Sequence, residues 1–216
     1  MDDGQKRFLV RYPVSAGKGV DREVSFEELA REVTEFLASP RRSLRILGAS
    51  GRGKSRLAFE LFSIDDREED RLDGRSVIYA QYGDIKDRLG SVALDLANSG
   101  ASTILVVDDC PDEAHLDILT KAKREGSSLR IVTTDVSLTS RSNQDCQIVE
   151  VLPASRKLIN MIVEGAANDA SRIDMYFVSD LADGFPRMAV LGARAVQDGI
   201  DALSTIDDLV NRILWG

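Results

Sequence analysis

Apolar residues recur along this chain in two alternating rhythms. Between Ser25 and Leu37, the residues Leu29, Val33, Phe36 and Leu37 fall on one helical face. Ser25 and Glu28 are spaced as a capping box, and Ser39-Pro40 stops the helix. Leu44-Arg45-Ile46-Leu47 is mostly apolar and reads as a short buried strand, after which Leu57, Ala58, Leu61 and Phe62 return to helical spacing. Ser76 to Tyr82 (SVIYAQY) is rich in β-branched and aromatic residues and predicts a second strand. Asp84 caps a helix to about Ser99, with Ile85, Leu89, Val92 and Leu96 as its buried face and Gly100 as its end. Four consecutive apolar residues, Ile104 to Val107, suit a central parallel strand buried on both faces. Pro111-Asp112-Glu113 opens a helix to about Arg124. Leu129 to Thr134 (LRIVTT) and Gln147 to Leu152 (QIVEVL) read as the fourth and fifth strands.

Outside these elements the pattern weakens. Residues 1–24 hold Gly4, Pro13, Gly17 and Gly19 and read as a linker, with Phe8-Leu9-Val10 as a short strand or strap. Ile64 to Arg75 carries six acids and three arginines and reads as a solvated connection. Ser137 to Asp145 is a polar loop. From Pro153 onward only helical spacing is found. One face is Leu158, Ile159, Ile162 and Val163, a second helix spans Asp174 to Leu181, and a third spans Pro186 to Val196 with Met188, Leu191 and Ala195 inward. Thr205 caps a last helix (Ile206, Leu209, Val210, Ile213, Leu214) that runs into Trp215-Gly216. A chain that stops there is expected to be cut from a longer one. The expected fold is α/β, a three-layer sandwich with a five-stranded parallel sheet over residues 25–152, a helical lid over 153–203, and the start of a further helical or winged-helix unit at 204–216.

The strongest chemical signal lies between the first strand and its helix. Gly48-Ala49-Ser50-Gly51-Arg52-Gly53-Lys54-Ser55 fits G-x-x-x-x-G-K-[ST] in the strand–loop–helix context that this phosphate-binding loop needs. Glycines let backbone N–H groups turn toward a phosphate, and the helix start adds partial positive charge. Lys54 would reach the β- and γ-phosphates, Ser55 would ligate Mg²⁺, and Arg56 continues the nucleotide-binding stretch. Asp108 and Asp109 end the strand Thr103 to Asp109, at the sheet edge where parallel α/β sheets bind ligands. Asp108 is placed to hold Mg²⁺, through water or through Ser55. Asp109 is placed to polarise an attacking water or sense the γ-phosphate. Thr133 or Thr134 could offer a hydroxyl there, or both could simply be good strand formers. His115 reads as a surface or packing residue, since nothing nearby in the sequence forms a relay with it.

Composition narrows the class. The chain has 216 residues, 43% hydrophobic and 30% charged, with a net charge of −8. That suffices for one α/β core and a smaller unit, and the acidic balance argues against nucleic acid held by bulk electrostatics. Cys110 and Cys146 match no metal or redox spacing, which suits a reducing cytoplasm. No apolar run approaches the roughly 20 residues of a membrane span.

Five strands alternating with helices, then a helical unit, resemble the ATPases that share the AAA+ core. LVVDDC (Leu105 to Cys110) resembles the Walker B of the signal-transduction ATPases with numerous domains, the STAND class, which includes NB-ARC and NACHT proteins. RIVTT (Arg130 to Thr134) resembles their sensor-1 strand, and GFPRMAVLGA (Gly184 to Ala193) the GxP segment of their lid. QIVEVLPASRKLINMIV (Gln147 to Val163) is similar to the strand and lid helix between those motifs, and VVDDCPDEAH to bacterial antiviral STAND proteins. The resemblance covers about residues 25–216. It implies the AAA+/STAND strand order and a switch run by ATP and ADP with Mg²⁺. On that resemblance ADP would hold a closed monomer; a trigger, which could be a protein, would act through a sensor domain, and ATP would then drive self-association and fire an effector domain. Pro186 would touch the adenine or ribose side, and Val14 to Arg22 would cover the adenine.

Two departures accompany this resemblance. NB-ARC proteins often carry a phosphate-contacting Arg after the sensor-1 threonines, where this chain has Asp135. No residue is assignable as an arginine finger; Arg130 and Arg141 are near the right region. A motor or loader acting on nucleic acid or protein is the main rival, and it would want such a finger, a pore loop and a basic face. A small-molecule kinase would want a lid richer in arginines, and a GTPase an [NT]-K-x-D after the fourth strand.

Overall fold

The structure, a computed structural model, describes residues 7–13, 19–62, 76–136, 145–166 and 172–197. An antiparallel hairpin comes first: β1 (Arg7–Pro13) and β2 (Gly19–Ser25). Helix α1 (Phe26–Leu37) follows without a break, because the Ser25 hydroxyl accepts the Glu28 N–H at 3.1 Å and so caps its first turn. The chain continues as β3 (Ser43–Leu47), α2 (Lys54–Leu61) and β4 (Val77–Gln81). After them come α3 (Tyr82–Ile85), α4 (Leu89–Asn98), β5 (Ile104–Asp108), α5 (Asp112–Ala122), β6 (Arg130–Asp135) and β7 (Cys146–Val151). Three helices close the described chain: α6 (Arg156–Ala166), α7 (Arg172–Ala182) and α8 (Pro186–Gln197).

The sheet has seven strands in the order β2-β1-β7-β3-β6-β5-β4, rather than the five expected. The five expected strands are all mutually parallel. The two additional strands come from the stretch read as a linker. The short strand or strap read at Phe8-Leu9-Val10 lies within β1, while β2 had no sequence signal; β1 pairs antiparallel with β7, Val10 opposite Val151. Val10 is fully buried, and the Arg11 guanidinium bridges Asp21 on β2 and Glu150 on β7. The expected helix from Asp84 is broken in two at Lys86-Asp87-Arg88, three exposed charged residues with no surface to bury. Of the expected face, Leu89 is buried and Ile85 and Leu96 pack partly buried against the core, while Ala93 and Ala97 take the fully buried positions of α4. The last expected helix, from Thr205, lies outside the described residues, as does the connection after α2.

Strand alternation sorts the core into two layers. Ile104 and Val106 of β5, Leu44 and Ile46 of β3, and Val132 of β6 pack with α1 and α2. Leu105, Val107 and Ile131 pack on the other face with α4 and α5. The three C-terminal helices have a separate core around Ile159, Val163, Val178, Ala189 and Ala193. There α7 and α8 approach closely at Gly192, where an added Cβ would lie 2.7 Å from Val178 Cγ1. Among the described residues, no helix is long and apolar enough to cross a membrane.

The Ser25 cap is testable. Ser25→Ala removes one hydrogen bond to the first turn of α1 and is expected to lower stability by about 1 kcal/mol. Urea unfolding should show a lower midpoint with an unchanged slope, and an unchanged midpoint would refute the cap.

Candidate functional site

The parallel strands end together at one edge, and β3 lies between β7 and β6. The chain leaves β3 for β4 at the far edge of the sheet, so a crevice opens between the loop after β3 and the ends of β6 and β5. Gly48, Gly51 and Gly53 all have positive φ, at 149°, 82° and 92°. At Gly48 a side chain is also excluded by space, since a Cβ would sit 2.7 Å from the Val151 carbonyl oxygen. Gly53 is the N-cap of α2 and supplies no side-chain cap, and its open side has no atom within 4 Å. The first N–H groups of α2 are thus left for a ligand.

Lys54 opens α2 with 6% exposure, and its Nζ donates to the Ala49 carbonyl at 3.2 Å. Burial lowers the ammonium below the usual lysine range, with Asp109, Asp108 and Asp135 opposing that effect in this order. The Ser55 hydroxyl donates to Asp108 Oδ1 at 3.0 Å, and Thr134 Oγ1 donates to the same oxygen. Thr134 Oγ1 also accepts the Asp109 N–H at 3.0 Å. Asp109 holds a left-handed backbone, φ 52°, and its carboxylate accepts from Gln81 Nε2 at 3.0 Å. Beside Ser55 and Asp108, an open cleft of about 240 Å³ runs toward β4, lined by Phe59, Tyr79 and Gln81.

The helical unit meets the loop directly. Gly184, with φ 80°, packs so tightly on Pro153 that a Cβ would lie 2.7 Å from the proline Cβ. Its carbonyl accepts the Ala154 N–H at 2.8 Å. Phe185 precedes α8, which Pro186 opens, and the Arg187 N–H donates to the Gly51 carbonyl at 3.2 Å. The Arg52 guanidinium lies 5.6 Å from the Phe185 ring centre and donates to the Val151 carbonyl at 3.2 Å.

Not every expected residue arrives at this edge. Thr133 and Thr134 are adjacent on a strand, so they face opposite ways. Only Thr134 reaches the acids at the end of β5, where its hydroxyl meets Asp108 and the Asp109 N–H. Thr133 is fully buried on the α5 face, where its hydroxyl accepts from Arg45 Nη1 at 3.1 Å and lies 3.0 Å from His115 Nδ1. Arg56 pairs with Glu60 one turn on and lies 5.9 Å from the Phe59 ring centre, along α2. Ser50 is exposed in the loop turn. Arg130 donates to Ser102 Oγ at 2.8 Å and to the Ala38 carbonyl at 3.2 Å, at the opposite end of the sheet. Arg141 lies outside the described residues, as do residues 14–18 of the expected adenine-covering segment.

Three contributors escaped the sequence reading. Arg45, inside an apolar strand, is wholly buried and pairs with Asp135 at 2.8 Å and Asp112 at 3.3 Å. The signal was available, because a charge in a buried strand requires buried partners. Gln81 is in register with Asp108, and ending a strand at the ligand edge could have marked it. The Arg52–Phe185 contact joins two distant segments and left no local trace.

No protein-family model matches this sequence, and no curated protein matches it. Solved structures do. A STAND protein with a tetratricopeptide repeat sensor from Pyrococcus horikoshii aligns at 14% identity and TM-score 0.52, over 85% of this chain and 31% of that one. NtrX from Brucella abortus in complex with ATP aligns at 16% identity and TM-score 0.53, over 85% and 52%. Drosophila ORC bound to DNA aligns at 14% identity and TM-score 0.53, over 87% and 59%. The chain has the fold of the STAND and AAA+ P-loop ATPases. It spans about a third of the STAND protein and between half and two thirds of the other two. Within this P-loop fold, the loop, the acids after β5 and the end of β6 form one cluster.

Two predictions follow from the site's surroundings. His115 is 2% exposed, and burial with help from the Arg45 charge pushes its pKa down from 6.5 to about 4, against the pull of Asp112. A histidine kept neutral when folded but free to protonate when unfolded weakens folding as pH falls. Its contribution is intact above about 6.5 and is lost as the pH falls through about 4. Urea midpoints should drop across that window, and less steeply in His115→Gln; equal slopes would rule this out. Phe185→Ala should loosen the first turn of α8 from the loop by roughly 1 kcal/mol. Amide exchange at Arg187 would then accelerate about fivefold, and an unaltered rate would count against the contact.

Proposed function

We propose that this chain is an ATP/ADP-binding, slowly hydrolysing switch module of a STAND-type signalling or defence protein. The observation that carries the reading is the hydrogen bond from the Arg187 N–H, on the lid, to the Gly51 carbonyl, in the phosphate loop. Whatever moves the Gly51 peptide also moves the first turn of α8. Phosphate occupancy and lid position thereby share one peptide group.

The residues fit a nucleotide with its metal. Gly53 leaves open space over uncapped N–H groups, and Lys54 is a desolvated cation awaiting an anion. Residues 48–55 would hold the phosphates, and Pro186, half-buried at the start of α8, would face the adenine or ribose side. Ser55 and Asp108 already share a hydrogen bond and are the oxygen donors a Mg²⁺ ion would take. When bound, Mg²⁺ neutralises charge developing on the phosphate oxygens. Asp109, set on the loop side by the Asp109 N–H bond to Thr134, would orient the attacking water. Thr134 would report the γ-phosphate through Asp108, which it touches. Exchange of ADP for ATP would release the lid and allow self-association, with trigger-sensing and effector units elsewhere in a longer protein.

ATP is named in one similar structure and DNA in another. The net charge of −8 favours the switch over a nucleic-acid motor. Purified protein should retain ADP and turn ATP over below about 1 s⁻¹; faster turnover, or phosphate transfer to a metabolite, would sink the switch. Lys54→Ala should abolish ATP binding in calorimetry, and unchanged affinity would refute the site. Asp109→Asn should slow hydrolysis at least about tenfold with binding intact. Weakened Mg²⁺-dependent binding would instead make Asp109 the metal-side acid.

A further inference from the structure

Arg45 is the largest side chain in the core, and its guanidinium is 1% exposed. A buried cation costs several kcal/mol unless it is fully paired, so its partners show what it is for. Nη1 donates to the Cys110 carbonyl at 3.2 Å and to Thr133 Oγ1 at 3.1 Å. Nη2 donates to Asp135 Oδ2 at 2.8 Å and lies 3.3 Å from Asp112 Oδ1. These partners belong to the turn after β5, the start of α5 and the end of β6. Arg45 itself sits on β3, three residues before Gly48.

The turn it reaches is the one that carries Asp109. That residue holds φ 52°, a left-handed conformation that Asp adopts more readily than most side chains but that still needs its turn to be held. Three hydrogen bonds hold the turn. The Asp109 N–H goes to Thr134 Oγ1 at 3.0 Å, the Cys110 N–H to the Thr134 carbonyl at 2.8 Å, and the Cys110 carbonyl to Arg45 at 3.2 Å. Two of them come from β6, and Arg45 supplies the third from β3.

We propose that Arg45 is a positioning residue for ATP hydrolysis: its guanidinium clamps the Cys110 carbonyl against β3 and β6 and holds Asp109 in the backbone conformation that keeps its carboxylate beside the phosphate loop. The planar fork is needed for this. One nitrogen serves the carbonyl and Thr133 while the other serves the carboxylates, and a lysine point charge cannot span both. The role rests on the proposed part of Asp109 in orienting the water.

The chain contains its own probes. Cys110 and Cys146 are both buried free thiols, one in the clamped turn and the other on β7. Loosening of the turn exposes Cys110 alone, whereas general unfolding exposes both. The test uses the 216-residue chain with ATP and Mg²⁺, as wild type, Arg45→Lys, and the charge-balanced double variant Arg45→Met/Asp135→Asn. Alkylation of each cysteine is followed by mass spectrometry beside kcat and KM. In both variants Cys110 should be alkylated at least about tenfold faster with Cys146 unchanged. The kcat should fall about 10–100-fold with KM within about twofold. Cys110 as protected as in wild type, both thiols gaining reactivity together, or kcat and KM shifting in step would each overturn the proposal. Asp109→Asn in the wild-type background separates the two ideas. If it slows hydrolysis and the Arg45 variants do not, Arg45 alone loses its role. If it leaves kcat unchanged while Cys110 still loosens, the part given to Asp109 falls and takes the positioning role with it.

Discussion

The pairing of β3 with β6 underlies the rest of the site. These strands are far apart in sequence, yet they run parallel with Arg45 opposite Thr133, Ile46 opposite Thr134 and Leu47 opposite Asp135. The Gly48 N–H extends the ladder to the Asp135 carbonyl at 3.2 Å. The glycine loop therefore emerges beside the end of β6, and β5 on the other side of β6 brings Asp108 and Asp109 within reach. A shift of one residue would turn every side chain of β3 to the other face and place Arg45 among the aliphatic residues under α2.

Charge at this edge is arranged in depth. Two cations, Lys54 and Arg45, stand on opposite faces of the sheet end, with Asp135 acting on both. On the α2 face the cation is desolvated and, among the described residues, donates to a backbone carbonyl. On the α5 face the cation is saturated by carboxylates, a carbonyl and a hydroxyl. The first arrangement suits a site that takes an anion, the second a fixed support. The Asp135 carboxylate is committed to Arg45 at 2.8 Å and to the Val136 N–H at 2.7 Å.

Among the described residues, the helical unit has a separate core and meets the loop through the Gly184 turn on Pro153, the Arg187–Gly51 hydrogen bond and the Arg52–Phe185 contact. Each is of the order of 1 kcal/mol, so such a junction can part without unfolding either layer.

The phosphate loop, the two aspartates and the parallel α/β order were legible because each is local. The glycine spacing belongs to one turn, and the apolar run Ile104–Val107 announces a strand buried on both faces. The GFP segment was equally plain as a motif. What could not be read depends on partners distant in the chain. Residues 1–24 read as a linker with no more than a short strand or strap at Phe8–Val10, until β7 offers β1 its hydrogen bonds. Thr133 and Thr134 are chemically identical, and only the layers packed on each face send one to the acids at the end of β5 and the other to Arg45 and His115. Arg45 is the clearest case: its position in an apolar strand demanded buried acids, but Asp112 and Asp135 lie more than sixty residues away, and folding alone brings their carboxylates to its guanidinium.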